Sequence, residues 1–176
     1  MGALAFWKAV VADRSNFLER IVALLEANRV RYCVIGGVAV NAYAEPMVTQ
    51  DLDIVVVAED LTRTRDLLER EFRVREFEHS VNVYDPGSKL QVQLQLGQEF
   101  ERYPERAAVR EVMELRLPIA EPRDLLASKV SAARDATRRT SKHLKDLADI
   151  ARLVEVFPEL EADLPEEIRA AIRRRT

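Results

Sequence analysis

The chain is 176 residues long, 48% hydrophobic and 32% charged, with a formal net charge of −3. These values describe a soluble globular protein of one domain, large enough to bury a core without staples. Cys33 is the only cysteine, which excludes an intramolecular disulfide, and two histidines, His79 and His143, leave almost no room for zinc sites of the His/Cys kind.

No overall basic field points to nucleic acid, although arginines cluster over Arg134–Arg139 and Arg169–Arg175. The N-terminal MGALAFWKAVVADRS has no basic region before its apolar start and is too short to span a bilayer. A cytoplasmic protein with no membrane segment is expected, and a lone core cysteine agrees with a reducing compartment.

Residues 14–28 space Phe17, Ile21, Leu24 and Leu25 as on one helix face. Residues 31–36 read as a short buried strand that ends at Gly36-Gly37. A short helix over 38–44 follows and Pro46 stops it. Residues 52–57 are a β-branched strand and 60–71 a helix. Residues 73–76 and 80–84 are candidate strands. DPGS at 85–88 is a turn, because Pro86 fixes φ and Gly87 permits φ > 0.

In KLQVQLQLG, Leu90, Val92, Leu94 and Leu96 alternate with Gln91, Gln93 and Gln95. That is a period-two strand with one apolar and one amide face. A helix is expected over 99–108 and one strand over 112–119. Residues 121–156 read as helical with a break near 139–141, and Pro158 and Pro165 bracket a linker to a short last helix. The expected fold is α+β (α/β): a small mixed sheet with flanking helices over 1–119, and a helical C-terminal part over 120–176 packed on that core.

The chemistry concentrates in GGVAVNAYAEPMVTQDLDIVVV, residues 36–57. In a strand, residues i and i+2 share a face about 7 Å apart at Cα. Asp51 and Asp53 therefore look the same way and can converge on one hard cation, and Mg²⁺ favours one or two carboxylates together with substrate phosphates. The strand-to-helix junction at Gly36-Gly37 offers unpaired backbone N–H groups to phosphate, and glycine allows close approach. The stretch reads as a phosphate cradle joined to an acidic pair.

These residues resemble the first motif of the DNA polymerase beta-like nucleotidyltransferase superfamily, GG-x-A followed by T-x-D-x-D: Gly36, Gly37, Ala39, Thr49, Asp51, Asp53 and Ile54. EPRDLLASK and KDLADIARL also look like its minimal bacterial branch, which includes aminoglycoside and lincosamide nucleotidyltransferases and AbiEii-type toxins. The resemblance covers roughly residues 30–156. It implies a Mg²⁺- (or Mn²⁺-) dependent attack by an acceptor hydroxyl on the α-phosphorus of a nucleoside triphosphate, with loss of pyrophosphate.

By that resemblance Gly36, Gly37, Val38 and Thr49 hold the phosphates, with Gln91 and Gln93 lining the nucleotide pocket. Asp51 and Asp53 bind the metal. Lys129 lies near phosphate or acceptor, and Asp146 or Asp149 orients the acceptor or Lys145. The acceptor is an RNA, a protein or a small molecule, and a cognate protein partner is conceivable.

The chain departs from the family pattern in three places. The strand expected to carry a third carboxylate has only Gln91, Gln93 and Gln95 on its polar face. Val38 stands where a small residue, often serine, follows the glycines. Pro46-Met47-Val48 stands where an arginine often occurs. Glutamine coordinates through its carbonyl oxygen but brings no charge and is no base.

Three readings follow: a nucleotidyltransferase with one tightly held metal; a nucleotide- or metal-binding protein on the same fold with weak or no transfer; and an unrelated α/β interaction protein. Structural roles are open for each residue as well. Asp51 could cap a turn, Lys129 could be a surface charge, Lys145 with Asp149 could be an ordinary i,i+4 pair, and the glutamine ladder could be a wet sheet face.

Overall fold

A computed structural model of the chain describes residues 2–173. Arg174 and Arg175, part of the basic C-terminal cluster, lie outside the described residues. Seven strands form one mixed sheet: β1 (Tyr32–Ile35), β2 (Asp51–Val56), β3 (Arg73–Glu76), β4 (Ser80–Tyr84), β5 (Gln91–Gln95), β6 (Ala108–Val112) and β7 (Leu115–Ile119). Their spatial order is β3-β4-β5-β2-β1-β7-β6. The helices are α1 (Ala3–Val10), α2 (Phe17–Ala27), α3 (Gly36–Val40), α4 (Ala58–Glu71), α5 (Tyr103–Arg106), α6 (Pro122–Arg134), α7 (Thr140–Val156) and α8 (Glu166–Arg173).

The centre of the sheet sets the site. β1 and β2 run antiparallel, with Ile35 opposite Asp53. β2 and β5 run parallel, with Asp51 opposite Gln91 and Asp53 opposite Gln93. Alternation then divides the faces: Leu52, Ile54, Val92 and Leu94 point into the core, and the acids and amides point the other way. α6 and α7 form a helical pair against α3, which roofs the polar face of these strands.

The expected strands at 73–76 and 80–84, the helix over 60–71 and the paired C-terminal helices are present. Three expectations are corrected. α3 begins at the glycines themselves, and all five of its residues are buried. Residues 158–163 form a 3-10 turn, with Leu160 and Leu164 packed in the core, where a linker was expected.

The third correction is the largest. One strand was expected over 112–119, after a helix to 108; the chain instead forms a β6–β7 hairpin in which Ala108 pairs with Ile119 and Val112 with Leu115. Its turn places Met113 and Glu114 at φ 50 and 64. A two-residue turn of this hand ordinarily announces itself with Asn or Gly, and neither is there. β6 is also an edge strand with four exposed residues in a row, so it shows no alternation.

The apolar N-terminal stretch forms α1 and seats Trp7 in the core. The Trp7 indole N–H donates to the Thr49 carbonyl at 2.8 Å, tying α1 to the segment that leads into Asp51. Trp7→Phe keeps most of the ring contact but leaves that buried carbonyl unpaired. The expected loss is about 1–3 kcal/mol of folding stability, read by urea denaturation followed by far-ultraviolet circular dichroism.

Candidate active site

β2 carries Asp51 and Asp53 to the floor of a cavity of about 270 Å³. Gly36, Gln93, Gln95, Phe100, Lys129 and Lys142 are among its other walls. Gly36 adopts φ +70, and a Cβ there would fall 2.1 Å from Asp53 Oδ2. Only glycine allows the β1–α3 turn to lie against the Asp53 carboxylate in this conformation. A Cβ on Gly37 would stand 3.2 Å from Thr49 Oγ1 and 3.4 Å from Lys145 Nζ. The two glycines thus present bare backbone between an acid on one side and a hydroxyl and an ammonium on the other.

Each acid has a specific partner. Gln95 Nε2 donates to Asp53 Oδ1 at 2.9 Å, and to Gln93 Oε1 at 3.3 Å. Lys142 Nζ donates to Asp51 Oδ2. Removal from water pushes the Asp53 carboxyl above the usual carboxylate range; Lys129, the Gln95 hydrogen bond and Lys142 act against this, and Asp51 adds to it. Burial is the main cause of the shift, and the like charge of Asp51 is a smaller one.

A second cavity, of about 620 Å³, adjoins the first, and both are walled by Asp51, Gln93 and Lys142. Its charged walls are Lys89, Arg139, Lys142, Lys145 and Asp51, four cations to one acid. Lys145 Nζ donates to Thr49 Oγ1 at 3.0 Å. Burial and the nearby Lys129 pull the Lys145 ammonium below its ordinary range. The possible Lys145–Asp149 helix pair does not form.

Asp149 belongs to a buried ionic network. Lys129, only 8% exposed, lies 3.1 Å from Asp146 Oδ1 and 2.7 Å from Asp149 Oδ2. Asp146 Oδ2 also accepts from Arg138 Nε at 2.5 Å, and Asp149 Oδ1 from Arg152 Nη1 at 2.7 Å. Arg152 reaches on to Asn41 Oδ1 at 2.7 Å and to the Glu45 carbonyl. Burial alone would lower the Lys129 ammonium, but Asp149, Asp146 and Asp53 raise it above its ordinary value.

The residues named from the sequence are therefore placed as follows. Gly36, Asp51, Asp53, Gln93, Lys129 and Asp146 meet at the first cavity, and Thr49, Gln91, Asp51 and Gln93 line the second. Val38 is wholly buried in the core and lines neither cavity. Asp146 faces the cavity with both oxygens engaged by cations. Asp149 is fully buried and braces Lys129, not an acceptor or Lys145.

Arg152 has no role in the sequence reading, and Gln95 stands there only as part of the glutamine ladder, although it shares the period-two face with Gln91 and Gln93. Among the described residues, no three of His, Cys, Asp and Glu gather as a metal-ion cluster. The donor set still fits one hard cation: two carboxylates on one face, with amide carbonyl oxygens beside them.

The family model described as "Nucleotidyl transferase AbiEii toxin, Type IV TA system" matches residues 17–176. The chain belongs to this nucleotidyltransferase family. No curated protein sequence matches it.

Among solved structures it is similar to the antibiotic-resistance factor ANT(2'')-Ia in complex with adenylyl-2''-tobramycin. The identity is 16%, the TM-score 0.63, and 90% of this chain and 95% of that one are covered. It is also similar to an antigenic nucleotidyltransferase-like protein from Paracoccidioides brasiliensis (19%, TM-score 0.53, 90% and 86% covered). A third neighbour is the lincosamide antibiotic adenylyltransferase LnuA, lincomycin-bound (14%, TM-score 0.50, 79% and 97% covered). At these identities the likenesses establish the nucleotidyltransferase fold. Among the described residues, no helix is long and apolar enough to cross a membrane.

Two variants test the electrostatics. Lys129→Met leaves Asp146 and Asp149 buried without their shared cation and is expected to cost about 3–5 kcal/mol, read by chemical denaturation. Asp53→Asn can keep the bond from Gln95 while removing a charge whose folded-state pKa is raised. A raised carboxyl pKa favours folding below the unfolded pKa and loses that contribution as pH rises through the folded value. Asp53→Asn is therefore expected to melt higher than wild type at neutral pH without added metal. The gap should close as the pH falls to about 4, in melting curves taken across that range.

Proposed function

We propose that the chain catalyses Mg²⁺-dependent transfer of a nucleoside monophosphate from a nucleoside triphosphate to an acceptor hydroxyl. The observation that carries this reading is the convergence of Asp51 and Asp53 on the cavity that Gly36 opens, beside a second cavity rich in cations. In the reaction the acceptor oxygen bonds to the α-phosphorus, the α–β phosphoanhydride bond breaks, and pyrophosphate leaves with its electron pair. Asp51 and Asp53 would hold the metal ion, which when bound neutralises charge on the phosphate oxygens.

The protein's own groups supply the rest. The bare backbone at Gly36-Gly37, with Lys145 and Thr49 beside it, receives the terminal phosphates. α3 has only five residues, so this cradle relies on the backbone amides of the turn and on side-chain cations more than on a helix dipole. Lys129, fixed by two aspartates, contributes a permanent positive charge close to Asp53. Gln93 and Gln95 position polar atoms at the wall but cannot accept a proton, so the acceptor's proton passes to water or to a phosphate oxygen of the donor.

The second cavity also bears on the acceptor. The ANT(2'')-Ia structure holds adenylyl-2''-tobramycin, and the several amines of tobramycin make it a polycation at neutral pH. Lys89 and Arg139, the cations of that cavity that neither pair with Asp51 nor stand beside the Gly36-Gly37 turn, would repel such a molecule and favour one that carries phosphates, such as an RNA end. The toxin–antitoxin description of the family supports a cognate antitoxin as partner, and a cytoplasmic location agrees with the use of triphosphates.

One observation favours a second reading. Gln93 stands opposite Asp53 in the sheet register, where a third carboxylate would complete a two-metal site. A nucleotide-binding protein with little transfer activity is the alternative. Calorimetry of the four ribonucleoside triphosphates with Mg²⁺ tests the shared part of both. Binding is expected in wild type and absent in Asp53→Asn, and equal binding in the two would remove the site assignment. Pyrophosphate release with RNA as acceptor, and none with tobramycin, is expected of the transferase alone. Gln93→Asp should tighten divalent-metal binding.

A further inference from the structure

The two cavities share a partition. Lys142 and Asp51, with Gln93, wall both, and the contact between Lys142 Nζ and Asp51 Oδ2 lies on the boundary they share. On the acidic side the charged walls are Asp51, Asp53 and Asp146 against Lys129, Arg138 and Lys142. Three carboxylates meet three cations, so this cavity is already neutral. A dication entering alone would leave it with two uncompensated positive charges, in a space where fields are poorly screened.

On the other side Lys142 stands among Lys89, Arg139 and Lys145 with only Asp51 as an acid. With nothing anionic there, Asp51 is the best partner Lys142 can find. A chain of phosphates in the basic cavity would offer it another. Lys142 is built to make that exchange. It lies in the first turn of α7, its side chain is 39% exposed, and the preceding segment 135–139 is exposed and non-helical.

Building on the reading of this site as a metal–triphosphate site, we infer that Lys142 is a resident cation that occupies the metal's place on Asp51. Phosphate groups entering the basic cavity draw Lys142 away and so admit the metal. Metal and triphosphate then bind with positive coupling, each promoting the other. Free metal alone is held weakly, and the acidic pair does not collect stray divalent ions between turnovers. The role differs from that of Lys129, which two buried aspartates hold in place.

The test measures binding without turnover. Mn²⁺ alone is titrated into wild type, K142Q and K142R and followed by the electron paramagnetic resonance of the free ion. The preformed Mn²⁺–tripolyphosphate complex is then titrated calorimetrically into the same proteins. K142Q is expected to bind free Mn²⁺ at least about tenfold more tightly than wild type, because a neighbouring positive charge is gone. K142R, which keeps the charge, should retain the weak binding. Wild type should bind Mn²⁺–tripolyphosphate well although it binds Mn²⁺ poorly.

Equal Mn²⁺ affinity in wild type and K142Q, with both binding the tripolyphosphate complex, overturns the inference and leaves the metal–triphosphate reading standing. A gain in K142R equal to that in K142Q also overturns it, since charge would then not be the cause. If no protein binds Mn²⁺ in either form, the reading of the site itself fails and the inference falls with it. Circular dichroism on each variant separates loss of fold from loss of binding.

Discussion

The withdrawal of Asp53 from water, with Asp51 on the same face of β2, is the constraint around which the site is arranged. Two carboxylates that cannot turn away from each other, partly withdrawn from water, must be compensated or protonated. Every neighbour of the pair does part of that work. Gln95 donates to Asp53, Lys142 to Asp51, and Lys129 raises the positive potential behind both. Gly36 is bound by the same constraint, because its backbone passes so close to the Asp53 carboxylate that no side chain fits. Only Lys129 among these groups is fixed by buried partners; Gln95 is neutral and the Lys142 side chain is partly exposed.

The network behind the pair follows a different logic. Lys129, Asp146, Asp149 and Arg152 are all buried or nearly so, and burying ions is expensive whatever they later gain from one another. Leucines in those places would be expected to hold α6 to α7 at least as firmly. What the ions add is geometry. Lys129 lies within ion-pair distance of both Asp146 and Asp149, Asp149 pairs with Arg152 as well, and Arg152 ties the loop after α3 through Asn41 and Glu45. The α6–α7 pair, the α3 turn and the acidic strand are thereby held in one register, so that a single ammonium faces Asp53.

Much of this was legible in the sequence where local periodicity decides the outcome. The alternation in KLQVQLQLG fixes which face the glutamines take, and the spacing of Asp51 and Asp53 puts them on a common face, whatever the rest of the chain does. Adjacent glycines between strand and helix mark the close approach at Gly36. Partner choice on α7 was another matter. Lys145 and Asp149 are neighbours by helix spacing, but Asp149 sits on the buried stripe with Ile150 and Leu153, and a lysine from another helix reaches it first. A pattern within one helix cannot show which charges a second helix brings. The β6–β7 hairpin was hidden for a simpler reason: its turn lacks Asn and Gly, and an edge strand exposed on both faces has no alternation to read.

The fold is shared with enzymes that modify an aminoglycoside and a lincosamide, so the fold alone says little about the acceptor. The charge around the site says more. A polycationic acceptor is served by acidic walls, and here the chamber beside Asp51 carries Lys89, Arg139, Lys142 and Lys145. The glutamines on β5 bear on the same question. A third carboxylate opposite Asp53 would help deprotonate an acceptor, and it would also repel one that arrives with its own phosphates. Replacing it with Gln93 gives up the base and removes that repulsion. With Lys129 held rigidly nearby, the cost in transition-state charge is partly offset by a cation that needs no loading. On the proposed reading, Gln93 and the basic chamber act together: a site whose two carboxylates would hold a metal would also suit an acceptor that carries phosphates.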